Sequence, residues 1–273
     1  MKKTAAAWFR VSLCAGLVFG SLLVGRAQAA TCEAAEAEPV AVASVTEGGE
    51  IVLDDGQRLS VHGLENSGAV RPRLVAALRQ RLSSGTIVLA ATGGEDRWGR
   101  HAASLFMPSA TDSSASWLQE DVLRAGEARA LPGGFTAPCW RRLMVAEAAA
   151  RRETRGIWGD AEEAVIPAEE TARLLARHGR RTVVAGRLLG LGEGRSVVFL
   201  NFGRRRHGDF SVVIPRRRLK SFDAAAKKPA TLIGRHLLVR GVVSGARQPR
   251  IEAYSPDDIE ISDPYDTRSV EAQ

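Results

Sequence analysis

Two runs of arginine carry the chemistry most directly visible in this chain. Asn201-Phe202-Gly203-Arg204-Arg205-Arg206-His207-Gly208-Asp209-Phe210 and Pro215-Arg216-Arg217-Arg218-Leu219-Lys220 each set three guanidinium groups in a row. Guanidinium groups bind phosphate and carboxylate through charge-assisted, often bidentate hydrogen bonds. Phe199, Phe202 and Phe210 lie close by in sequence. Arginines for phosphates and aromatic faces for bases are what single-strand binders use. The same residues also admit a plainer arrangement, with the phenylalanines in a core and the arginines on a solvated rim. Lipopolysaccharide, acidic polysaccharide and phospholipid head groups meet the same charge requirement as nucleic acid.

The charge around these runs is uneven. Residues 177–250 hold 18 basic and 3 acidic side chains, net +15, whereas residues 30–160 hold 14 basic and 17 acidic, net −3. A segment with one sign of charge at this density attracts anions. Codon bias in a GC-rich genome explains arginine over lysine but not the scarcity of carboxylates. Other chemistry is not visible. There is no Cys or His metal cluster, no Gly-rich phosphate loop ahead of a helix and no Gly-x-Ser-x-Gly elbow. His62, His101, His178, His207 and His236 are scattered. No cofactor is expected from these residues.

The first residues read as a targeting segment. Lys2 and Lys3 precede an apolar run from Val11 to Val24, followed by Ala27-Gln28-Ala29. That is the pattern of a secretory signal peptide, residues 1–29, and it predicts an exported protein, periplasmic or secreted. Cleavage removes Lys2, Lys3, Arg10 and Arg26 and takes the formal charge from +7 to +3. It also removes Cys14 and leaves Cys32 and Cys139. An even pair in an oxidising compartment predicts one disulfide, the alternative being two free thiols.

Alternating patterns predict strands over Val40–Val45, Glu50–Leu53 and Arg58–His62, separated by Gly48-Gly49 and Asp54-Asp55-Gly56. Leu74, Val75, Leu78 and Leu82 share one helix face in Arg71–Leu82. Strands follow at Thr86–Ala91 and Arg100–Met107. A helix is expected from Ala115 to Ala125, and another from Pro138 to Gly156. This order is α+β. Residues 160–180 read as a charged linker with a short helix. A second block, 181–262, predicts strands at Val183–Leu191, Arg195–Phe202, Phe210–Ile214, Leu237–Val243 and Ile251–Tyr254, with a helix after the third. That is the order of an OB-type β-barrel. The acidic tail, 263–273, has the composition of disorder.

Asp96-Arg97-Trp98-Gly99-Arg100 and the run from Leu143 to Trp158 resemble the staphylococcal nuclease (thermonuclease-like) family. The resemblance covers residues 40–159 and implies an OB-type barrel with packed helices. It also implies a phosphodiesterase site with a Ca2+ ion held by carboxylates, a glutamate base and two arginines. Carried across residue by residue, a metal-ligand aspartate falls on Gly49 and the first arginine on Ser60. The next metal ligand falls on Glu65, a weak metal candidate, and a backbone-oxygen ligand position on Asn66. The general base falls on Gly68, and only the second arginine, Arg100, is retained. The resemblance therefore implies a degenerate site, since loss of a base or an arginine each costs orders of magnitude in rate. Arg100 is expected either to contact phosphate or to pair with a carboxylate across the barrel. Leu143, Glu147, Ala150, Trp158 and Trp98 are expected to pack.

The readings that follow are three. The first is an exported, catalytically inactive nuclease-like protein that binds nucleic acid or another polyanion through Arg100, Arg204, Arg205, Arg206, Arg216, Arg217 and Arg218. The second is a divergent metal-dependent phosphodiesterase using Glu65 and Arg100, the one case that needs Ca2+. The third is an envelope structural or protein-interaction module.

Overall fold

A computed structural model describes residues 32–109, 111, 114–204 and 208–262. The predicted signal peptide, Arg205, Arg206 and the tail from Asp263 lie outside the described residues. Within them the chain is α+β, with two sheets and five helices.

The first sheet holds β1 (Glu38–Val45), β2 (Glu50–Leu53), β3 (Arg58–Val61), β4 (Ile87–Glu95), β5 (Arg100–Pro108) and β6 (Ala115–Trp117). Helix α1 (Val70–Arg81) joins β3 to β4, and α2 (Leu118–Arg124) and α3 (Ala137–Arg152) follow β6. The turn between β1 and β2 needs a left-handed backbone, and Gly49 supplies it at φ +76. Val42, Val45, Ile51, Leu53 and Leu59 alternate into the interior and are buried. β1 pairs antiparallel with β2 and β4, β2 with β3, and β4 with β5. β3 then pairs parallel with β5, which closes the sheet into a ring.

The second sheet holds β7 (Ile166–Pro167), β8 (Arg181–Arg187), β9 (Gly190–Glu193), β10 (Val197–Asn201), β11 (Ser211–Pro215), β12 (His236–Ser244), β13 (Arg250–Glu252) and β14 (Ile259–Ser262). Helix α4 (Thr171–Ala176) precedes β8, and α5 (Leu219–Ala224) joins β11 to β12. Only Leu188 and Leu189 separate β8 from β9, so the two act as one bent strand. Counted that way, the connectivity repeats the first sheet pair for pair. The first strand pairs with the second and fourth, the second with the third, and the fourth with the fifth, all antiparallel. The third pairs parallel with the fifth, and the helix follows the third strand.

One local expectation needs correction, and two strands lie outside the expected elements. Residues 115–117 are strand β6 rather than the first turn of a helix. The register Phe106↔Trp117 ties them to β5, and Trp117 is buried. Within residues 160–180, beside the short helix α4, Ile166–Pro167 pairs with β8 and Ala168 N–H donates to Ala185 O at 2.7 Å. β14, which sequence patterning did not show, adds a further antiparallel partner to β12.

Helix α3 joins the two sheets. Leu143, Ala146, Glu147 and Ala150 occupy one face at i, i+3, i+4 and i+7, and all are buried, as is Trp158 just beyond the helix. Val183, Ala185 and Leu238 of the second sheet share this core. Cys139 on α3 is bonded to Cys32, with their Cα atoms 5.4 Å apart. No helix among the described residues is long and apolar enough to cross a membrane.

Candidate functional site

The β1–β2 turn, the end of β3, the loop before α1 and the start of β5 enclose an open cleft of about 390 Å³. Gly49, Ser60, His62, Glu65, Asn66 and Arg100 line it. The parallel register of β3 on β5, with Arg58 opposite Arg100 and Ser60 opposite Ala102, brings these distant positions together. Five of the six positions that the sequence singles out here therefore share one surface. The sixth, Gly68, does not line the cleft, and open space surrounds the position a side chain would take there.

Each of these groups is already engaged. A Cβ at Gly49 would lie 2.8 Å from Asn66 Nδ2, and that amide donates to Gly48 O at 2.7 Å. Glu65 is only 3% exposed. It accepts from Ser67 Oγ at 3.0 Å and from Arg129 at 3.2 Å. Arg129 is equally buried and also bonds the Glu163 carboxylate at 2.5 Å, so Glu65 sits at one end of a buried charge chain. Arg100 donates twice to Asp96, at 2.9 and 2.7 Å, and once across the ring to Glu50 at 3.2 Å. Those hydrogen bonds pull the Asp96 carboxyl down to about 2. Glu50 is lowered by its bond to Arg58, with Arg100 adding to the effect. Ser60 Oγ reaches only to His101 O, at 3.5 Å. Burial lowers the pKa of His62 below its ordinary 6.5 despite a bond to Gly133 O, so the ring is neutral at pH 7.

Trp98 does not pack into the core. It is 56% exposed at the turn before β5, and Arg97 and Arg100 lie over its ring at 3.9 and 4.8 Å from the centroid. The turn carries the indole outward, two residues before Arg100 begins the parallel pairing of β5 with β3.

A second open cleft, also about 390 Å³, adjoins the first, with Leu131 and Arg181 lining both. Its walls include Val242, Glu252, Tyr254 and Asp258. Tyr254 is 45% exposed, and the charges of Arg217 and Arg218 act on its phenol, which also bonds Glu252.

Arg204 precedes β11 and Arg216–Arg218 follow it, with a strand of five residues, roughly 17 Å, between them. Arg204, Arg217 and Arg218 are exposed, while Arg216 is paired with Glu193. Phe210 is buried and Phe202 packs on it at 5.2 Å, so these rings serve the core.

Arg129, Arg181 and Tyr254 were not apparent from sequence. Nothing in the sequence around Arg129 or Arg181 marks them, since their partners come from remote segments. Tyr254 had a faint signal, as one of only two tyrosines and the end of a predicted strand.

No family model matches the chain, and no curated protein matches its sequence. Among solved structures, the chain is similar to one described as OBody AM1L10 bound to hen egg-white lysozyme. The identity is 25%, over 34% of this chain and 90% of that one, with a TM-score of 0.26. A second, described as OBody AM3L15 bound to hen egg-white lysozyme, is 24% identical over 34% of this chain and 91% of that one, also with a TM-score of 0.26.

Proposed function

We propose that this is an exported protein of two OB-type barrels, the first staphylococcal nuclease-like, that binds a polyanion without hydrolysing it. Nucleic acid is the ligand its chemistry fits best. The observation that carries this reading is the excess of cations in the second unit, 18 basic to 3 acidic side chains over residues 177–250. In the first unit Arg58, Arg81, Arg100, Arg129 and Arg142 are matched to carboxylates, while Arg71, Arg73, Arg97, Arg141 and Arg152 are exposed and make no ion pair among the described residues. In the second, Arg195, Arg204, Arg217, Arg218, Arg247 and Arg250 are exposed and make no ion pair among the described residues. Unpaired exposed guanidinium groups lose little on meeting phosphate, because no carboxylate has to be displaced. The disulfide supports export, since such bonds persist in oxidising compartments.

The residues present do not fit the family's cation. A hard divalent ion needs several oxygen ligands. Gly49 offers none, Asn66 fills the space beside it, and Glu65 is held by Arg129. Among the described residues no group of three or more His, Cys, Asp or Glu is placed to hold a metal ion. Arg129 supplies the positive charge that a carboxylate at this depth requires.

The test pairs two assays. Fluorescence anisotropy with labelled single-stranded DNA across a salt series should show binding that weakens as salt rises, by about 0.7 in log–log slope per phosphate neutralised. Incubation of denatured DNA with Ca2+ should yield no cleavage above background. Cleavage that is abolished by EDTA and by Glu65→Ala would establish the phosphodiesterase reading instead. Absence of salt-sensitive binding would remove the polyanion reading altogether.

A further inference from the structure

The two clefts share Leu131 and Arg181. Ser60, Glu65, Asn66 and Arg100 line the first, and Trp98 stands exposed beside it with Arg97 and Arg100 over its ring. Arg181, the first residue of β8, lines both. Val242, Glu252, Tyr254 and Asp258 line the second, and the charges of Arg217 and Arg218 act on the Tyr254 phenol.

Arg181 is the informative member. Arg100 is matched by Asp96 and Glu50, and Arg129 by Glu65 and Glu163. Arg181 has no side-chain hydrogen bond and no ion pair among the described residues, although it is only partly exposed. Its charge is felt by Asp258, whose carboxylate is turned instead to the Tyr254 and Ser255 amides at 2.9 and 2.8 Å. A partly buried guanidinium with free donors, set where two clefts meet, is an anion receptor in want of its anion. Near it stand two exposed aromatic side chains, Trp98 and Tyr254, each with arginines whose charge acts on it. A single-stranded chain, with bases that stack and a phosphate at every step, matches that combination. A duplex, with its bases already stacked, does not.

Resting on the polyanion reading above, we propose that one single-stranded nucleic acid lies in the continuous groove across both barrels, with Arg181 on a backbone phosphate at the seam and Trp98 and Tyr254 stacking on bases at its two ends. Binding is then a joint property of the two barrels. It requires them to keep one fixed orientation.

The probe is fluorescein-labelled oligothymidylate, measured by anisotropy against the full mature protein at one low salt concentration. Relative to the parent, Arg181→Gln should bind roughly tenfold more weakly. Trp98→Ala and Tyr254→Ala should each lose roughly fivefold or more. Trp98 and Tyr254 are exposed, so these two variants keep the fold even if Arg181→Gln does not. Arg152→Ala removes an exposed charge of α3 that lines neither cleft and should change binding by less than about twofold. A tetramer of thymidylate, at the lower limit of about 4 nucleotides for one OB fold, should be nearly blind to Tyr254→Ala if it sits at Trp98, or the reverse. A parent that binds with all three groove variants unchanged would overturn the groove and leave the polyanion reading standing. Binding of duplex DNA or heparin that equals the single strand and ignores both aromatic substitutions would do the same. A parent that binds none of these probes would overturn both.

Discussion

Arg240 on β12 lies 3.0 Å from Glu147 on α3, and both side chains are almost completely removed from water, at 2% and 0% exposure. The pair joins α3 to the second sheet. Glu147 also accepts from Ala130 N–H at 2.6 Å and from Arg151 at 2.6 Å. Arg240 and Arg151 both reach Glu260 of β14, at 3.3 and 2.9 Å. Two carboxylates and two guanidinium groups thus balance in a closed set that holds α3 against the second sheet. The groove proposed above needs such a joint.

Removing one member of this set should cost far more than removing an exposed pair. Glu147→Gln is expected to destabilise by roughly 3–5 kcal/mol, because it leaves a buried guanidinium short of its counter-charge. Replacing both members, as in Glu147→Leu with Arg240→Met, should recover much of that loss. Burial alone would raise the Glu147 pKa, but Arg240 and Arg151 outweigh it and hold the group below its ordinary 4.5. With the folded value below the unfolded one, this stabilisation is complete above about pH 4.5. It is lost as the pH falls through the depressed folded value. Urea denaturation from pH 7 to pH 3 should show that acid slope in the parent and a shallower one in Glu147→Gln.

The Cys32–Cys139 bond closes a loop with a sequence separation of 107. In the chain-entropy view a loop of that order stabilises by about 4.7 kcal/mol. Cys139→Ala, or reduction of the parent, should therefore lower the melting temperature by several degrees or more in a thermal-shift scan. The oxidised mature protein should not label with a thiol reagent under native conditions. Two equivalents of label would contradict the bond.

Much of the frame is legible in the sequence, because it rests on local rules. The Gly48-Gly49 turn, the helical face of Leu74, Leu78 and Leu82, and the strand–helix order after Val183 each follow from spacing. Residues 115–117 misled because Trp117, Leu118 and Val122 fit a helical stripe as well as a strand entering a helix. β14 offers only Ile259 and Ile261 in alternation between Asp257-Asp258 and the polar tail, too short a pattern to stand out as a strand. The site was harder still. Arg129 meets Glu65 across 64 positions, and Arg240 meets Glu147 across 93. Such pairs have no local signature. Trp98 read as core because tryptophan usually is, whereas the turn before β5 carries it outward.

Placing at Gly49 the aspartate that the nuclease resemblance implies should harm this protein rather than create a metal site. At Gly49 the backbone has φ +76, which costs an L-residue about 1–2 kcal/mol. The new Cβ would also meet Asn66 Nδ2 at 2.8 Å. Gly49→Asp should destabilise by about 1–3 kcal/mol. The double variant with Asn66→Ala should lose less than the sum of the two single losses, since the clash is shared. Neither should show a thermal shift on adding Ca2+, because Glu65 remains held by Arg129. A Ca2+-dependent rise in melting temperature would mean that Glu65 can leave its guanidinium partner.

The two arginine runs should be separable by ligand length. Arg204 precedes β11 and Arg216–Arg218 follow it, and the charges of Arg217 and Arg218 act on Tyr254, which lines the second cleft. An oligonucleotide of about 4 residues, at the lower limit of site size for one OB fold, spans roughly 14 Å at about 3.4 Å per stacked residue and can engage one end but not both. It should bind the parent and the triple variant Arg204→Ala, Arg205→Ala, Arg206→Ala about equally. The triple variant Arg216→Ala, Arg217→Ala, Arg218→Ala should bind it less well, with a salt slope reduced by up to about 2. Arg216 is paired with Glu193, so Arg217 and Arg218 should account for most of that change. A strand of about 30 residues reaches past a single site and should lose affinity in both variants. The two losses should add, because the runs touch different phosphates. Equal losses with the short probe would mean that the two runs act on one bound segment, and the placement of the strand along the Tyr254 end of the groove would then be wrong.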